Sequence, residues 1–352
     1  MNSEPLNIGF LLPPIYSFDG KGNGVRAFAN NLAKALTSLG QNVKLLSGWD
    51  SVHENGGFHV VHYFQGGPAF SGIHKVKKID SRIIVFSPVI DSNQSNLLYL
   101  LASKLGNITN RVMTIPGEYR KQAMAADLVI VMSSHERDRV IAGLGVSRDK
   151  VKIVLGGASI PSTNQNDTSD VLSKYNLPKR FLLHVSIYTQ ARKNVMNLIS
   201  AALNLDMPIV IAGTHDADST YDKIITLRNK HSNKVFILPF VSSQELASLY
   251  QACDTFCLPS LHEGIGLAAL EAGANGAKVV ITQNGGPPDY FKDYAYYVDP
   301  KRKKSLERQL RIAWASEKTD ALSAHIRSKL TWSHSAQSML SNYRKILSIK
   351  FD

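Results

Sequence analysis

Residues 255–283 read TFCLPSLHEGIGLAALEAGANGAKVVITQ. TFCLPS is a short apolar run closed by proline and reads as a strand. LHEGIG is a glycine-bearing turn, LAALEAGAN a helix capped by Gly276, and AKVVITQ a second strand. Strand, helix and strand within about thirty residues make a crossover unit, which joins strands of a parallel sheet.

The same alternation continues in both directions. RFLLHVS, PIVIAG and KVFILPF precede the unit and AYYVDP follows it. An earlier series runs NIGFLLPP (7–14), NVKLLSG, FHVVHYF, RIIVFSP, LVIVMSS and VKIVLGG, with a helix at VRAFANNLAKALTSLG (25–40). Alternating strands and helices predict an α/β fold: two Rossmann-like, doubly wound parallel-sheet domains. Their bounds are 1–158 and 165–332, with the loop-like stretch from Gly156 to Ser169 as linker. The segment SHSAQSMLSNYRKIL (333–347) opens a terminal helix, 333–352, long enough to return to the first domain.

The bulk numbers exclude several classes. The 352 residues, 44% of them hydrophobic, suit two cored domains. There is no run of 18 apolar residues, so no membrane-spanning helix is expected. The opening MNSEPLNIGFLLPP lacks a basic segment before its apolar run and reads as a first strand, not a signal peptide. Cys253 and Cys257 fit neither redox nor zinc spacing and read as buried small residues in a reducing cytoplasm. The net charge of +12 divides into +6 for residues 1–160 and +6 for 161–352, unlike a nucleic-acid module with one basic arm. Local clusters are HKVKKIDSR (74–82) and PKRKKSLERQLR (300–311). This balance favours an anionic substrate or an anionic membrane surface.

Glu263 and Glu271 flank the turn. The amides of Gly266, Leu267 and Ala268 are free donors at a helix N-terminus, a ready anion site. Glu271 lies about 6 Å further along the axis. Carboxylates accept pairs of hydrogen bonds and suit vicinal diols. The order acid, anion site, acid matches sugar, diphosphate, ribose. A blander reading, two surface acids beside a glycine turn, stays open on these residues alone.

The wider pattern adds a resemblance. The spacing E-x7-E after a strand, then GANGAKVVIT and NGGPPDYFKDYAYYVDP, resembles the retaining group 1 (family 4) glycosyltransferases of the GT-B fold, whose two domains face a cleft. ADLVIVMSSHERDRVIAGLGVSRDKVKIVLGGASIP and FLLHVSIYTQARKNVMNLISAA are similar to that family's end of the first domain and start of the second. The resemblance implies a nucleotide diphosphate sugar, UDP- or GDP-linked, as donor, with no cofactor, no metal and no nucleic acid. It makes the first domain the acceptor side and the second the donor side. Glu263 would hold the donor sugar's hydroxyls at the reacting centre, and Glu271 the ribose. The amides of Gly266, Leu267 and Ala268 would meet the distal phosphate. Arg192 and Lys193 would neutralise the leaving diphosphate; cations at a helix start oppose the dipole unless an anion is there. Gly22 and Gly24, in DGKGNGV (19–25), would face the donor phosphates from the first domain.

The chain also departs from the family. Where many members have a histidine after the strand RIIVFSP, this one has Ser87, Pro88, Val89 and Asp91. The arginine directly after the strand near residue 185 is missing, and Arg192 would substitute. His62 reads as a packed histidine at a strand end, and the D-x-D of THDADS (214–219) as a loop. NLLYLLASKLGNITNRV (96–112) reads either as a lipid-facing segment or as a buried helix. The resulting expectation is retaining hexosyl transfer to a saccharide or lipid-linked acceptor, in surface polysaccharide or glycolipid assembly. The setting is cytoplasmic, with a possible site on the inner membrane face. The alternatives are a GT-B-fold sugar-nucleotide epimerase or hydrolase, and a non-catalytic sugar-binding protein.

Overall fold

The computed structural model describes residues 4–13, 24–46, 57–68, 83–90, 92, 94–108, 113–160 and 165–351. The chain divides into two units: residues 1–157 with 332–352, and residues 158–331.

Unit 1 holds strands β1 (Asn7–Leu11), β2 (Asn42–Leu46), β3 (Val60–Phe64), β4 (Ile83–Ser87), β5 (Leu128–Val131) and β6 (Val151–Ile153). Its helices are α1 (Gly24–Ser38), α2 (Asn96–Ile108), α3 (Ile115–Ala125) and α4 (Ser134–Asp138), the last continuing as a π-turn over Arg139–Gly143. The strands form one parallel sheet in the order β2-β1-β3-β4-β5-β6. Every residue of β4 is buried, as a central parallel strand covered on both faces requires. One core packs Phe86, Val129 and Val131 against Tyr119, Val140 and Leu144.

The C-terminal helix Trp332–Phe351 belongs to unit 1. Its Trp332 ring meets Phe28 of α1 at 5.2 Å between centroids. Tyr343 shares a 2.6 Å hydrogen bond with His62 Nδ1, and His62 Nε2 lies 2.8 Å from Ser87 Oγ. His62 therefore sits in the middle of β3 and not at a strand end. Burial drives its pKa down to about 3, so it is a neutral hydrogen-bonding hub.

Unit 2 holds β7 (Leu182–Ile187), β8 (Ile209–Thr214), β9 (Val235–Ile237), β10 (Thr255–Leu258), β11 (Lys278–Thr282) and β12 (Tyr296–Val298). Its helices are α5 (Gln165–Lys174), α6 (Val195–Asn204), α7 (Ser219–Lys230), α8 (Ser243–Ala252), α9 (Leu267–Ala274), α10 (Pro287–Phe291), α11 (Lys303–Ala315) and α12 (Ala321–Lys329). The parallel order is β12-β11-β10-β7-β8-β9. The chain starts in the centre at β7, builds outward through β8 and β9, then returns to lay β10 beside β7. Neighbouring strands that leave in opposite directions create a switch point, where α/β sheets bind ligands beyond their carboxyl ends.

One local expectation fails. The stretch to Ser169 reads as loop, yet α5 begins at Gln165. Its polar sequence hides the helix because the helix is held from outside. Thr168 and Gln251 share a hydrogen bond, and Lys174 and Tyr175 both donate to Glu245 of α8. Tertiary contacts decide marginal helices.

Candidate active site

The switch point of unit 2 is built from the turns after β7, β10 and β11. After β7 the chain makes a tight turn at Ala191–Lys193, passes through left-handed Asn194 (φ 59°) and enters α6. Arg192 and Lys193 thus precede the helix by a separate turn and do not start it. Asn194 Nδ2 donates to the carbonyls of Pro259 and Pro300, at 3.1 and 3.2 Å, which explains its strained conformation. The Leu261 amide donates to Arg192 O at 2.8 Å. The turns after β7 and β10 are therefore stitched backbone to backbone.

The turn after β11 closes the third side. The Glu263 amide donates to Asn284 O at 3.2 Å, and the Gly286 amide donates to Glu263 O at 3.0 Å. Gly285 (φ 100°) lies opposite Glu263 in an isolated parallel bridge. A Cβ at Gly285 would sit 2.1 Å from Glu263 O, so no other residue fits. Gly266 (φ 84°) caps α9, and a Cβ there would press on Ile281 Cδ1 at 2.9 Å. A Cβ at Gly264, by contrast, would meet nothing within 4 Å.

Glu263 is 7% exposed and its side chain faces both cations. Lys193 Nζ donates to Glu263 Oε1 at 2.6 Å. Arg192 Nη1 lies 3.8 Å from the same oxygen, with 45% of the Arg192 side chain exposed. Lys193 is buried and engaged by the acid, whereas Arg192 keeps surface to offer an anion. The first-turn amides of α9, at Leu267 and Ala268, have no acceptor within their helix, as at any helix start. Glu271, one turn in, accepts from Tyr250 Oη at 3.3 Å. Burial raises the Glu271 carboxyl to about 7, tempered by that hydrogen bond. Glu263, Arg192 and Lys193 thus meet beyond the carboxyl ends of the central strands β7 and β10, with α9 starting just after Glu263 in the chain.

Residues 169–327, inside this unit, match the family model for group 1 glycosyl transferases. The chain carries a group 1 glycosyltransferase domain.

Curated relatives of the chain include O-antigen chain mannosyltransferase B of Escherichia coli, 25% identical over 227 residues, covering 62% of this chain and 55% of that protein. D-inositol 3-phosphate glycosyltransferase of Mycolicibacterium gilvum is 28% identical over 174 residues, covering 48% and 39%. The chain spans about half the length of the first of these, and 29% of the serotype-specific mannosyltransferase WbdA of E. coli. Solved structures share the fold across the whole chain. A glycosyltransferase from Rickettsia africae aligns with a TM-score of 0.76 at 15% identity, covering 98% of this chain and 99% of that one. Anabaena HepE in complex with UDP aligns at 0.65 and 17%, covering 98% and 97%. The fold class is that of the GT-B glycosyltransferases.

The remaining expected residues lie elsewhere. Gly22 falls outside the described residues, and Gly24 is the first residue of α1 in unit 1. Asp218 caps α7, accepting from the amides of Thr220 and Tyr221 at 2.9 and 3.0 Å. The Asp216 amide donates to Thr189 Oγ1 at 2.9 Å. Among the described residues, no three His, Cys, Asp or Glu side chains gather to hold a metal ion. Both cysteines are free and buried, and burial pushes both thiols up, Cys253 to about 12. Tyr250 and Asn194 carry no sequence signal, because each acts on residues far from it in the chain. Gly285 stood in the quoted NGGPP, but its steric role needs the bridge to be seen.

Glu271 makes a pH prediction. Its carboxyl is held at about 7 in the folded chain, against an ordinary value of 4.5. The folded state keeps a proton that the unfolded chain has released, so this residue's stabilising contribution falls as pH rises from 4.5 to 7. Melting temperatures at pH 5 and pH 8 for wild type and Glu271→Gln check it. The variant should lose less on going to pH 8; equal losses would dismiss the assignment.

Proposed function

We propose that the chain is a retaining hexosyltransferase that uses a nucleotide diphosphate sugar. The observation behind this reading is the convergence of Glu263, Arg192, Lys193 and the start of α9 at the β7–β10 switch point. The α9 amides and Arg192 bind the diphosphate, and Glu271 takes the ribose hydroxyls. Glu263 holds the hexose beside its anomeric carbon, and Lys193 holds Glu263. The acceptor oxygen bonds to that carbon as the bond from carbon to phosphate oxygen breaks. The leaving phosphate takes the acceptor's proton on the same face, so configuration is retained. Fixed cations stabilise the charge developing on the leaving group, so the reaction runs without a divalent metal. Unit 1 binds the acceptor, a saccharide or lipid-linked sugar in surface polysaccharide or glycolipid assembly, at the inner face of the cytoplasmic membrane. The mannosyltransferase relatives make mannose the first sugar to test.

Calorimetric titration with UDP and GDP comes first, then transfer from the matching hexose in excess EDTA, with the product's anomeric configuration read by NMR. Binding of one nucleotide and retained, EDTA-resistant transfer are expected. Binding of neither nucleotide overturns the reading, and activity lost to EDTA but restored by manganese overturns its metal-free step.

A further inference from the structure

Helix α2 is inside out for a core element. Leu97, Leu98, Leu101 and Leu105 are 67%, 60%, 50% and 59% exposed, while Tyr99 and Ser103 are buried. The spacing 97, 101, 105 with 98 between is one helical face. Met113 and Ile115 are about as exposed, at 62% and 60%. Thr114 between them donates to Ala102 O at 2.8 Å and so holds them beside α2. On the inward side the Arg139 guanidinium lies 5.0 Å over the Tyr99 ring, and Arg139 Nη2 donates to Ser92 O, ahead of the helix, at 3.1 Å. The helix is thus anchored through Tyr99, which is packed in the unit 1 core with Tyr119, Val140 and Leu144, and its leucines are left to solvent. Contiguous exposed apolar surface of this kind marks an interaction site.

Charge selects the occupant. From residue 92 to residue 117 there is no Asp or Glu, and the two charged residues are Lys104 and Arg111. Lys104 is exposed among the leucines. The sequence of unit 1 carries 20 Lys and Arg against 12 Asp and Glu. A two-fold pairing of this face with a second copy would set like charges against each other. An anionic headgroup layer complements them, and an apolar helix face with basic residues beside it is how helices lie in a bilayer interface.

We propose that α2, with Met113 and Ile115, docks on an anionic lipid bilayer, its leucines entering the acyl boundary and Lys104 meeting headgroup phosphates. This deepens the transfer reading by naming the surface where a lipid-borne acceptor is met, while its evidence lies wholly in unit 1.

The test is cosedimentation with phosphatidylglycerol vesicles and with neutral phosphatidylcholine vesicles. Wild type is compared with the triple variant Leu97→Ser, Leu101→Ser, Leu105→Ser. Wild type should sediment with phosphatidylglycerol only. The variant should lower partitioning about tenfold or more, since three side chains no longer leave water, with melting temperature and nucleotide diphosphate affinity unchanged. Failure of wild type to sediment with phosphatidylglycerol overturns the inference, as does equal sedimentation of the variant. A wild-type dimer in lipid-free sedimentation velocity that the variant breaks also overturns it, assigning the face to a second copy. Loss of the transfer reading would show instead as absent nucleotide binding, with vesicle binding intact.

Discussion

Glu263→Gln lowers turnover by about 10²–10³, the usual cost of removing one preorganised electrostatic stabiliser. The carboxylate is buried at the switch point with Oε1 held by Lys193, so its charge acts in a medium that screens it weakly. The developing positive character at an anomeric carbon is the charge it would stabilise. Glutamine keeps the length and one acceptor oxygen for Lys193, and the backbone bonds to Asn284 and Gly286 do not involve the side chain. Nucleotide diphosphate affinity should stay near wild type, because in the proposed function the nucleotide would be met by α9, Arg192 and Glu271. Three readouts on the one variant decide: turnover, calorimetric affinity and melting temperature. Near-wild-type turnover would end the catalytic assignment, and a melting temperature falling in step with activity would make Glu263 structural.

Lys193→Ala should destabilise unit 2 by about 3–5 kcal/mol, the cost of leaving one partner of a buried ion pair alone. The pair is close, 2.6 Å, with side chains 11% and 9% exposed. The lower end of the range applies, since Arg192 remains 3.8 Å from the stranded carboxylate. Urea denaturation followed by circular dichroism measures it. A loss below about 1 kcal/mol would put the pair among ordinary surface contacts.

The twelve strands among the described residues were legible, the central ones because fully buried parallel strands are unbroken apolar runs, as in IIVFS, TFCL and KVVIT. The helix α5 was not, since its own residues favour loop and its support comes from α8. In the site, the turn after β10 was readable from its glycines and acids. The pairing of Lys193 with Glu263 was not, because 70 residues separate them and only the sheet order β10-β7 brings them together. Two cations quoted as one motif, Arg192 and Lys193, came apart for the same reason: adjacent residues on a tight turn point to different surroundings. Local pattern carries local structure; partners across a sheet need topology.

The return of the last helix bears on the order in which this chain can be completed on a ribosome. Unit 2 is continuous, 158–331, and its residues have all been joined before Trp332 is added. Unit 1 begins first yet closes last, because His62 waits for Tyr343, 281 positions later. Domains synthesised early usually fold early, but here the early one stays short of a buried partner until the final helix arrives. A nonsense codon or proteolytic nick near residue 331 would therefore be felt at the opposite end of the sequence, in the N-terminal sheet, while unit 2 stood whole.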